Sequence, residues 1–267
     1  MNRVWICAAA CIGILQAPVF AQEHIVIPLA DASRPVTLSI HLLRGGVTVR
    51  SYNGREVIVD TTGAAPENTR DRAPQGMHRI GGGSNGLSIE SDNNKVTISS
   101  PGMRSGEVTV QTPINTSLNV RTMNGGDITI EGVNGDIEAQ NLNGGVTVRN
   151  VSGSVVAHSL NGAVTVALNS VKSGSPMSFS SLNGTIDVTL PANVAADFSM
   201  KSNRGEIYSD FDVKLKAVPK PVVEQSASDK GKYKVKTDGA VLGAVNGGGP
   251  EFKFTTLNGN IYIRKGK

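Results

Sequence analysis

Four acidic residues in the repetitive centre of the sequence are the first candidates for chemistry, because paired carboxylates cleave glycosidic bonds. A retaining glycosidase holds its two carboxyl groups about 5–5.5 Å apart, and an inverting one about 6.5–9.5 Å apart. Asp127 and Asp136 each follow a predicted turn, on successive half-coils. Glu138 and Asp187 take outward strand positions that we expect on opposite walls. The carboxylates should therefore not converge, and we expect no catalytic residues and no enzyme, with a polysaccharide-acting parallel β-helix enzyme as the alternative.

Zinc is usually bound by histidine and cysteine, and both cysteines, Cys7 and Cys11, lie in the first 21 residues, which we expect to be removed as a signal peptide. The four histidines stand far apart, at His24, His41, His78 and His158. None of them pairs with another at the spacing of zinc ligands. The segment NGGDITIEGVNGD is similar to glycine-rich calcium repeats, but the later units lack the repeated acid that such sites need. We therefore expect no metal site and no cofactor.

The first 21 residues predict a secretory signal peptide. Asn2 and Arg3 precede the apolar run VWICAAACIGIL, and Val19-Phe20-Ala21 provides small residues before a cleavage site. The run is short of the roughly 20 apolar residues that a membrane-spanning helix needs. We expect cleavage after Ala21, with export to the periplasm, the cell envelope or the outside of the cell. A lipid anchor at Cys11 is the alternative, and otherwise no transmembrane segment should remain after cleavage.

The composition points to a β-protein without a nucleic-acid partner. Aromatic residues make up only 4% of the chain, and glycine contributes 31 residues. Such a composition suits short strands joined by tight turns around a thin core. The net charge of +4 falls to about +3 when Arg3 leaves with the signal peptide, and acidic and basic residues are interspersed. Nucleic-acid binding is therefore not expected.

A repeat of nine residues organises the centre of the chain. Val133, Leu142, Val151 and Leu160 are nine residues apart, and each is followed by Asn-Gly or Ser-Gly. Apolar residues then recur two positions apart, which is typical of a strand with one buried face. The later apolar residue of each unit alternates between large and small, as Ile130, Ala139, Val148, Ala157 and Val166. Two units therefore make one full period.

This double period predicts an all-β protein, a β-solenoid like a parallel β-helix, with coils of about 18–20 residues and two strands per coil. Large side chains from one wall would fill space beside small ones from the other. The alternative is an antiparallel β-meander or sandwich, because Asn-Gly between apolar runs also predicts hairpins. We expect a single domain at 22–267, with a long loop at 63–86 and a lysine-rich hairpin or insertion at 212–236.

Two sets of side chains should recur in register. Turn asparagines are predicted to form a ladder of hydrogen bonds, at Asn124, Asn134, Asn143, Asn161, Asn183 and Asn258. Thr129, Thr147 and Thr165 should form an outward column with a spacing of 18 residues. Threonine suits a solvent-facing strand. The same column is the predicted surface for binding a glycan or an envelope protein.

The repeated units resemble the putative-adhesin domain family of bacterial exported proteins, a family of unknown function with a repetitive β fold. The resemblance covers about residues 36–265. It rests on units of the type NGxIxI at 124–130, 134–139, 143–148, 161–166 and 183–188, and on the ending TLNGNIYI at 256–263. It implies the fold but provides no catalytic residues to transfer.

Composition, repeat and resemblance together lead to an expected function. We expect a non-catalytic exported protein of the cell envelope, acting as a structural or adhesin-like interaction scaffold. Its partner would be an envelope protein or a glycan. Besides the polysaccharide-acting enzyme, the alternative is an envelope sensor or accessory factor.

Overall fold

The polypeptide winds into stacked coils, and each coil gives one strand to each of two large sheets. This computed structural model describes residues 22–63, 87–100, 106–216, 222–224, 234–236 and 239–266. Its strands are β1 (Gln22–Pro28), β2 (Val36–Arg44), β3 (Val47–Tyr52), β4 (Glu56–Gly63), β5 (Ser88–Asp92), β6 (Lys95–Ser100), β7 (Gly106–Pro113), β8 (Thr116–Asn124), β9 (Ile128–Glu131), β10 (Ile137–Asn143), β11 (Val146–Gly153), β12 (Val155–Asn161), β13 (Val164–Val171), β14 (Met177–Asn183), β15 (Ile186–Leu190), β16 (Ala196–Ser202), β17 (Ile207–Ser209), β18 (Lys214–Leu215), β19 (Val222–Glu224), β20 (Lys234–Lys236), β21 (Val241–Val245), β22 (Glu251–Asn258) and β23 (Ile261–Lys265).

The two large sheets face each other, and we call them wall A and wall B. Wall A has the strand order β1-β4-β7-β3-β9-β11-β13-β15-β23-β17. Wall B has the order β18-β21-β16-β22-β14-β12-β10-β8-β2-β6-β5. Adjacent coils pair in parallel on both walls, as β10 with β12 and β11 with β13. The predicted all-β solenoid is confirmed, and the antiparallel alternative is wrong for the coils.

The predicted rows of inward side chains are present. Val148 pairs with Ile130 on one side and with Val166 on the other, in wall A. In wall B the two small residues Ala139 and Ala157 pair with each other. All of these side chains are buried in one continuous core. The alternation of large and small residues along the sequence therefore separates into two rows on opposite walls.

The thin core becomes aromatic toward the C-terminal end. Phe179 follows Ala157 in the same row of wall B, and its ring stacks on that of Phe254 at 5.2 Å between centroids. Phe198 makes an edge contact with Phe254 at 5.5 Å. Offset-stacked and edge-to-face rings are the favoured arrangements of buried aromatic pairs. These phenylalanines are the largest fully buried side chains of a sequence that is poor in aromatic residues, together with Phe252.

The order of the coils in space differs from their order in the chain at both ends. The last coil, β22 with β23, lies between β14–β15 and β16–β17. At the other end, the coil β6–β7 lies outside the earlier coil β2–β3. The coils that lie between two others, β2–β3 and β22–β23, pair in parallel with both neighbours. Only the central coils, from β8 to β15, are stacked in chain order.

Antiparallel strands cover the ends of the solenoid. At the N-terminal end β4 pairs with β7, β1 pairs with β4, and β5 forms a hairpin with β6. At the C-terminal end β21 pairs with β16 in wall B. Wall A ends at the short strand β17, with no further strand beside it in the described residues. The two walls are therefore covered unequally at this end.

Several sequence predictions fall partly or wholly outside the described residues. These include the signal peptide at 1–21 and residues 64–86 of the predicted loop. Within 212–236, β18 pairs with β21, and β19 pairs antiparallel with β20 in a separate two-stranded sheet. In the described parts of the chain, no helix is long and apolar enough to span a membrane.

Candidate interaction surfaces

The edge where wall B strands end and wall A strands begin carries a ladder of asparagine side chains, and we call it the ladder edge. Each Nδ2 donates to an Oδ1 of the adjacent coil: Asn143 to Asn124 at 2.7 Å, Asn161 to Asn143 at 2.8 Å, Asn183 to Asn161 at 2.7 Å and Asn258 to Asn183 at 2.6 Å. An amide can do this because it is both donor and acceptor. The ladder therefore ties five coils together along their outer corner.

Asn134 is not part of the ladder, which corrects the sequence prediction. It precedes a glycine like the other asparagines, but it lies nine residues before Asn143. A step of nine residues is half a coil, so Asn134 lies on the opposite edge, where it forms a bridge with Ser152. We call this opposite edge, where wall A strands end and wall B strands begin, the groove edge.

A buried row of small polar residues lies beneath the ladder, and the sequence analysis missed it. Hydroxyl groups donate to glycine carbonyls of the adjacent coil: Ser159 to Gly144 at 2.9 Å, Ser181 to Gly162 at 2.9 Å and Thr256 to Gly184 at 3.0 Å. Asn141 makes the equivalent bond to Gly126 at 2.9 Å. The signal was available, because Ser, Thr or Asn stands two positions before each ladder asparagine of these coils.

The predicted threonine column lies on the outer face of wall A. Thr147 pairs with Thr129 and with Thr165, and the row continues through Thr48 to Thr109. All five side chains are partly exposed. Strands are spaced about 4.8 Å apart, so the five hydroxyl groups extend over roughly 19 Å. The column is a regular polar track across five coils.

The threonine column leads into a cluster of charged and aromatic side chains. Asp187 follows Thr165 in the row and accepts two hydrogen bonds from Arg264, at 2.8 and 3.0 Å. The Arg264 guanidinium lies 5.3 Å from the centroid of the Tyr262 ring. Tyr262 in turn stacks on Tyr208, with 5.2 Å between centroids and 7° between planes. A fork-shaped ion pair beside a ring stack is a rigid arrangement.

Two ionisable groups of this cluster are shifted by their neighbours. The hydrogen bond from Arg264 to Asp187, with the attraction between their charges, raises the pKa of the guanidinium above its already high value. Tyr208 donates a hydrogen bond to Glu206, which raises the pKa of the phenol. Both groups are protonated at neutral pH at their ordinary pKa values, and the shifts move their titration further from neutrality. The cluster therefore presents a guanidinium and a neutral phenol to solvent.

The candidate carboxylates from the sequence bind different partners on different faces. Glu138 on wall B accepts a hydrogen bond from Arg121 at 3.1 Å. Asp127 accepts the Gly145 N–H at 2.7 Å on the ladder edge. Asp136 lies on the groove edge beside Lys172, whose Nζ is 2.9 Å from Oδ2. In the described residues no three His, Cys, Asp or Glu side chains are grouped to hold a metal ion.

The histidines are likewise dispersed. His24 Nδ1 lies 2.6 Å from Asp60 Oδ1 at the N-terminal end of wall A. His158 Nδ1 lies 2.8 Å from Ser180 Oγ on the outer face of wall B. His41 is exposed on wall B, and His78 lies outside the described residues.

The groove edge holds two neighbouring shallow cavities of about 480 and 340 Å³. Ser170, Val171 and Lys172 line both of them. The ion pair of Asp136 and Lys172 lies at this shared boundary. Hydrogen bonds from Ser154 and Lys172 hold the pKa of Asp136 below its ordinary value. The residues that link strands at this edge differ in number from coil to coil, which leaves space between adjacent coils.

Comparison with known proteins places the fold. No protein-family model matches the chain, and no curated protein sequence matches it. A solved structure of a putative cell adhesion protein from Clostridium sporogenes aligns with a TM-score of 0.50 and 11% identity, over 92% of this chain and 100% of that one. A putative adhesin from Bacteroides fragilis aligns with a TM-score of 0.40 and 12% identity, over 93% of this chain and 98% of that one. The first likeness shows that this chain shares the fold of the clostridial protein.

Proposed function

We propose that this protein is an exported cell-envelope protein of the putative-adhesin family that acts as a non-catalytic interaction scaffold. The observation that carries the proposal is the outer face of wall A, where a regular threonine column runs into the cluster of Asp187, Arg264 and two tyrosines. The name of the clostridial protein of the same fold supports a role in adhesion.

Rigidity is what makes this face suitable for binding. Parallel pairing on both sides fixes each strand, and the ladder ties the coils together at one edge. A partner that meets a preorganised surface pays less conformational entropy on binding. Binding would then need no reactive group, only hydroxyl, guanidinium and aromatic contacts along one wall.

The polysaccharide-cleaving alternative has no such support. Asp127, Asp136 and Glu138 bind a backbone amide, a lysine and an arginine on three different faces, and Asp187 is held by Arg264. Paired carboxylates of a glycosidase must lie within about 10 Å across one bond. If an oligosaccharide were cleaved and cleavage were lost in Asp127→Ala, Asp136→Ala or Asp187→Ala, the non-catalytic proposal would be wrong.

The proposal is tested by co-sedimentation of the protein, expressed from its full sequence, with isolated cell envelopes. We expect saturable binding that weakens at least tenfold when Thr129, Thr147 and Thr165 are all changed to lysine, because three long cations would cover the column. The matched control changes three partly exposed hydroxyl residues of wall B, Ser39, Thr97 and Ser178, to lysine. Absence of binding, or equal loss in both variants, would contradict the proposed role of wall A.

A further inference from the structure

Wall B carries a row of exposed apolar side chains beside the asparagine ladder. A leucine or methionine directly precedes each ladder asparagine, and Leu43 precedes Arg44, which pairs with Asn124. Strand pairing places these residues side by side, because the residues on both sides of each one are in register. We call this set the apolar row, and its members are Leu43, Met123, Leu142, Leu160, Leu182 and Leu257.

The apolar row is continuous and open to solvent. Five of its side chains are 37–45% exposed, and Leu160 is partly exposed. Single exposed leucines are common on protein surfaces, but these are neighbours across six coils. Together they form an apolar patch on the order of 400 Å², the size of the largest patch on a typical monomer, which is often functional. Asn203, whose N–H donates to the Thr256 carbonyl, lies beside Leu257 and ends the row with a polar side chain.

The spacing of the apolar row selects what can cover it. Its side chains follow the strands and are therefore about 4.8 Å apart. A helix repeats about every 5.4 Å, so over five steps it falls about 3 Å, more than half a step, out of register. An extended strand presents side chains to one face about every 6.8 Å and loses register within two steps. A second copy of this chain has the same step, so two rows can interdigitate over their whole length.

We propose that the apolar row is the centre of an antiparallel two-fold dimer of this protein. A two-fold axis parallel to the row would set each side chain head-on against its own copy. An axis perpendicular to the row allows an offset of half a step, so that each side chain packs between two of the other copy. With the axis near the middle, Leu142 of one copy contacts Leu160 of the other, and Leu43 contacts Leu257.

The side chains that flank the apolar row suit the rim of such an interface. Ladder asparagines lie on one side, and their amides already bond to each other within the stack. On the other side, next to the middle of the row, lie Gln140, His158 and Ser180. None of these carries a permanent charge, so association would not bury an unpaired ion there. Arg44 and Arg204 lie at the two ends of the row, where solvent can reach them.

Sedimentation velocity of the protein, expressed from its full sequence, tests for the dimer between about 1 and 300 µM, where a Kd on the order of 10 µM is measurable. We expect such a Kd because an interface built on one row is near the lower size limit of specific interfaces. Met123→Lys and Leu182→Glu should each weaken the dimer at least tenfold, since each buries a charge without a partner. Val156→Glu is the matched control, because Val156 is 40% exposed on the same wall but lies outside the row. It should dimerise like the unmodified protein.

A mixture of the two row variants tests the antiparallel arrangement. An antiparallel axis near the middle brings Met123 of one copy against Leu182 of the other, so the new lysine and glutamate meet across the interface. The mixture should therefore form a heterodimer within about fivefold of the original affinity, because the opposite charges pair. In a parallel dimer the two positions would be three steps, about 14 Å, apart, and the mixture would stay monomeric. Circular dichroism and the unfolding midpoint of each variant establish that it is folded.

Three outcomes would overturn the inference. The first is a monomer at the highest concentration, and the second is equal weakening in the control and the row variants. The third is a mixture that stays monomeric. If a monomeric protein instead floats with vesicles of phosphatidylethanolamine and phosphatidylglycerol, and Met123→Lys abolishes flotation, the row binds lipid and the dimer is wrong.

This inference goes beyond the proposed function, because a dimer through the corner of wall B leaves wall A of both copies open. Two open walls would bind an envelope together and gain avidity. Monomeric protein that still co-sediments with envelopes would refute the dimer and leave the scaffold function standing. Dimeric protein that does not co-sediment would refute the scaffold function and support the dimer.

Discussion

The links between strands are regular on the ladder edge of the solenoid and irregular on the groove edge. On the ladder edge, Gly144-Gly145 alone links β10 to β11, and Gly162-Ala163 alone links β12 to β13. A methyl group on Gly144 or Gly162 would overlap a backbone carbonyl of the adjacent coil. On the groove edge, Ser154 alone links β11 to β12, whereas residues 172–176 link β13 to β14. On the groove edge a methyl group on Gly135 or Gly153 would likewise overlap a backbone carbonyl of the adjacent coil, but nothing lies within 4 Å of one on Gly174. Close backbone contact therefore recurs in the central coils of the ladder edge, and on the groove edge it is interrupted at residues 172–176.

This contrast explains where the sequence repeats and where it changes. Close backbone contact admits only glycine after the ladder asparagine, and an unbroken ladder admits only a side chain that both donates and accepts. Where this contact is interrupted on the groove edge, residues 172–176 form a longer link that includes Lys172 and Pro176. The extra residues of the longer coil, from Asn161 to Asn183, lie accordingly on the groove edge.

Glycine-to-alanine substitutions should give the largest difference in the free energy of unfolding between close and open positions. Gly162→Ala should lower the free energy of unfolding by about 2–4 kcal/mol, because the new methyl group overlaps the carbonyl of Gly144. Gly174→Ala on the groove edge should cost only about 1–2 kcal/mol, because its φ of +75° disfavours alanine but nothing lies within 4 Å of the new methyl group. Urea unfolding measures both. Equal losses would show that close contact with the adjacent coil adds nothing to the cost of the substitution.

Asparagine-to-alanine substitutions on the two edges should give the next largest difference in the free energy of unfolding. Asn143→Ala removes a hydrogen bond on each side and should lower the free energy of unfolding by about 1–2 kcal/mol. Asn134→Ala, on the groove edge, removes an exposed side chain outside the ladder and should stay within about 0.5 kcal/mol. The same urea titrations compare them. A cost for Asn134 as large as for Asn143 would show that the ladder adds little.

Two threonines at equivalent positions of the ladder edge should respond in opposite directions. The Thr256 hydroxyl donates to Gly184, so Thr256→Val should lower the free energy of unfolding by about 1 kcal/mol. The Thr122 hydroxyl is buried without a hydrogen-bond partner in the described residues, so Thr122→Val should raise it by up to about 1 kcal/mol. The two denaturation midpoints should therefore shift apart. A loss of stability in both variants would show that Thr122 has a partner.

The smallest effect belongs to the ion pair on the groove edge. The pKa of Asp136 is lowered in the folded protein by Ser154 and then by Lys172, from an ordinary value of 3.8. A lowered folded pKa gives stability that is present above the unfolded pKa and lost as pH falls through the folded pKa. Asp136→Asn should therefore reduce the loss of stability between pH 5 and pH 2, by less than about 1 kcal/mol because the pair is half exposed. An unchanged pH dependence would show that the pair contributes nothing.

Much of the fold was predictable because its information is local. Alternation between Val146 and Val148 identifies a strand with one buried side, and the spacing from Leu142 to Leu160 gives the coil. The row of Ile130, Val148 and Val166 follows from these two periods. The position of Asn134 was predicted wrongly, because its Asn-Gly step is identical to those of the ladder and only the half-coil offset places it on the other edge.

The candidate site was predictable only in part. A spacing of 18 residues places Thr129, Thr147 and Thr165 in one column. Asp187 and Arg264 are 77 residues apart in the chain, and they meet only because β15 pairs with β23. Tyr208 reaches Tyr262 for the same reason, since β17 pairs with β23. No repeat length connects these residues.

What the sequence determined by itself is the coil: its period, its buried rows and the turn at each ladder asparagine. What only the tertiary structure decided is the order of the terminal coils. Every coil offers the same parallel strand edges, so local pattern cannot say which coil lies beside which. The structure places Asn258 beside Asn183 and leaves Arg204 and Arg44 at the ends of the ladder. Arginine donates but cannot accept, so it ends a ladder that asparagine continues.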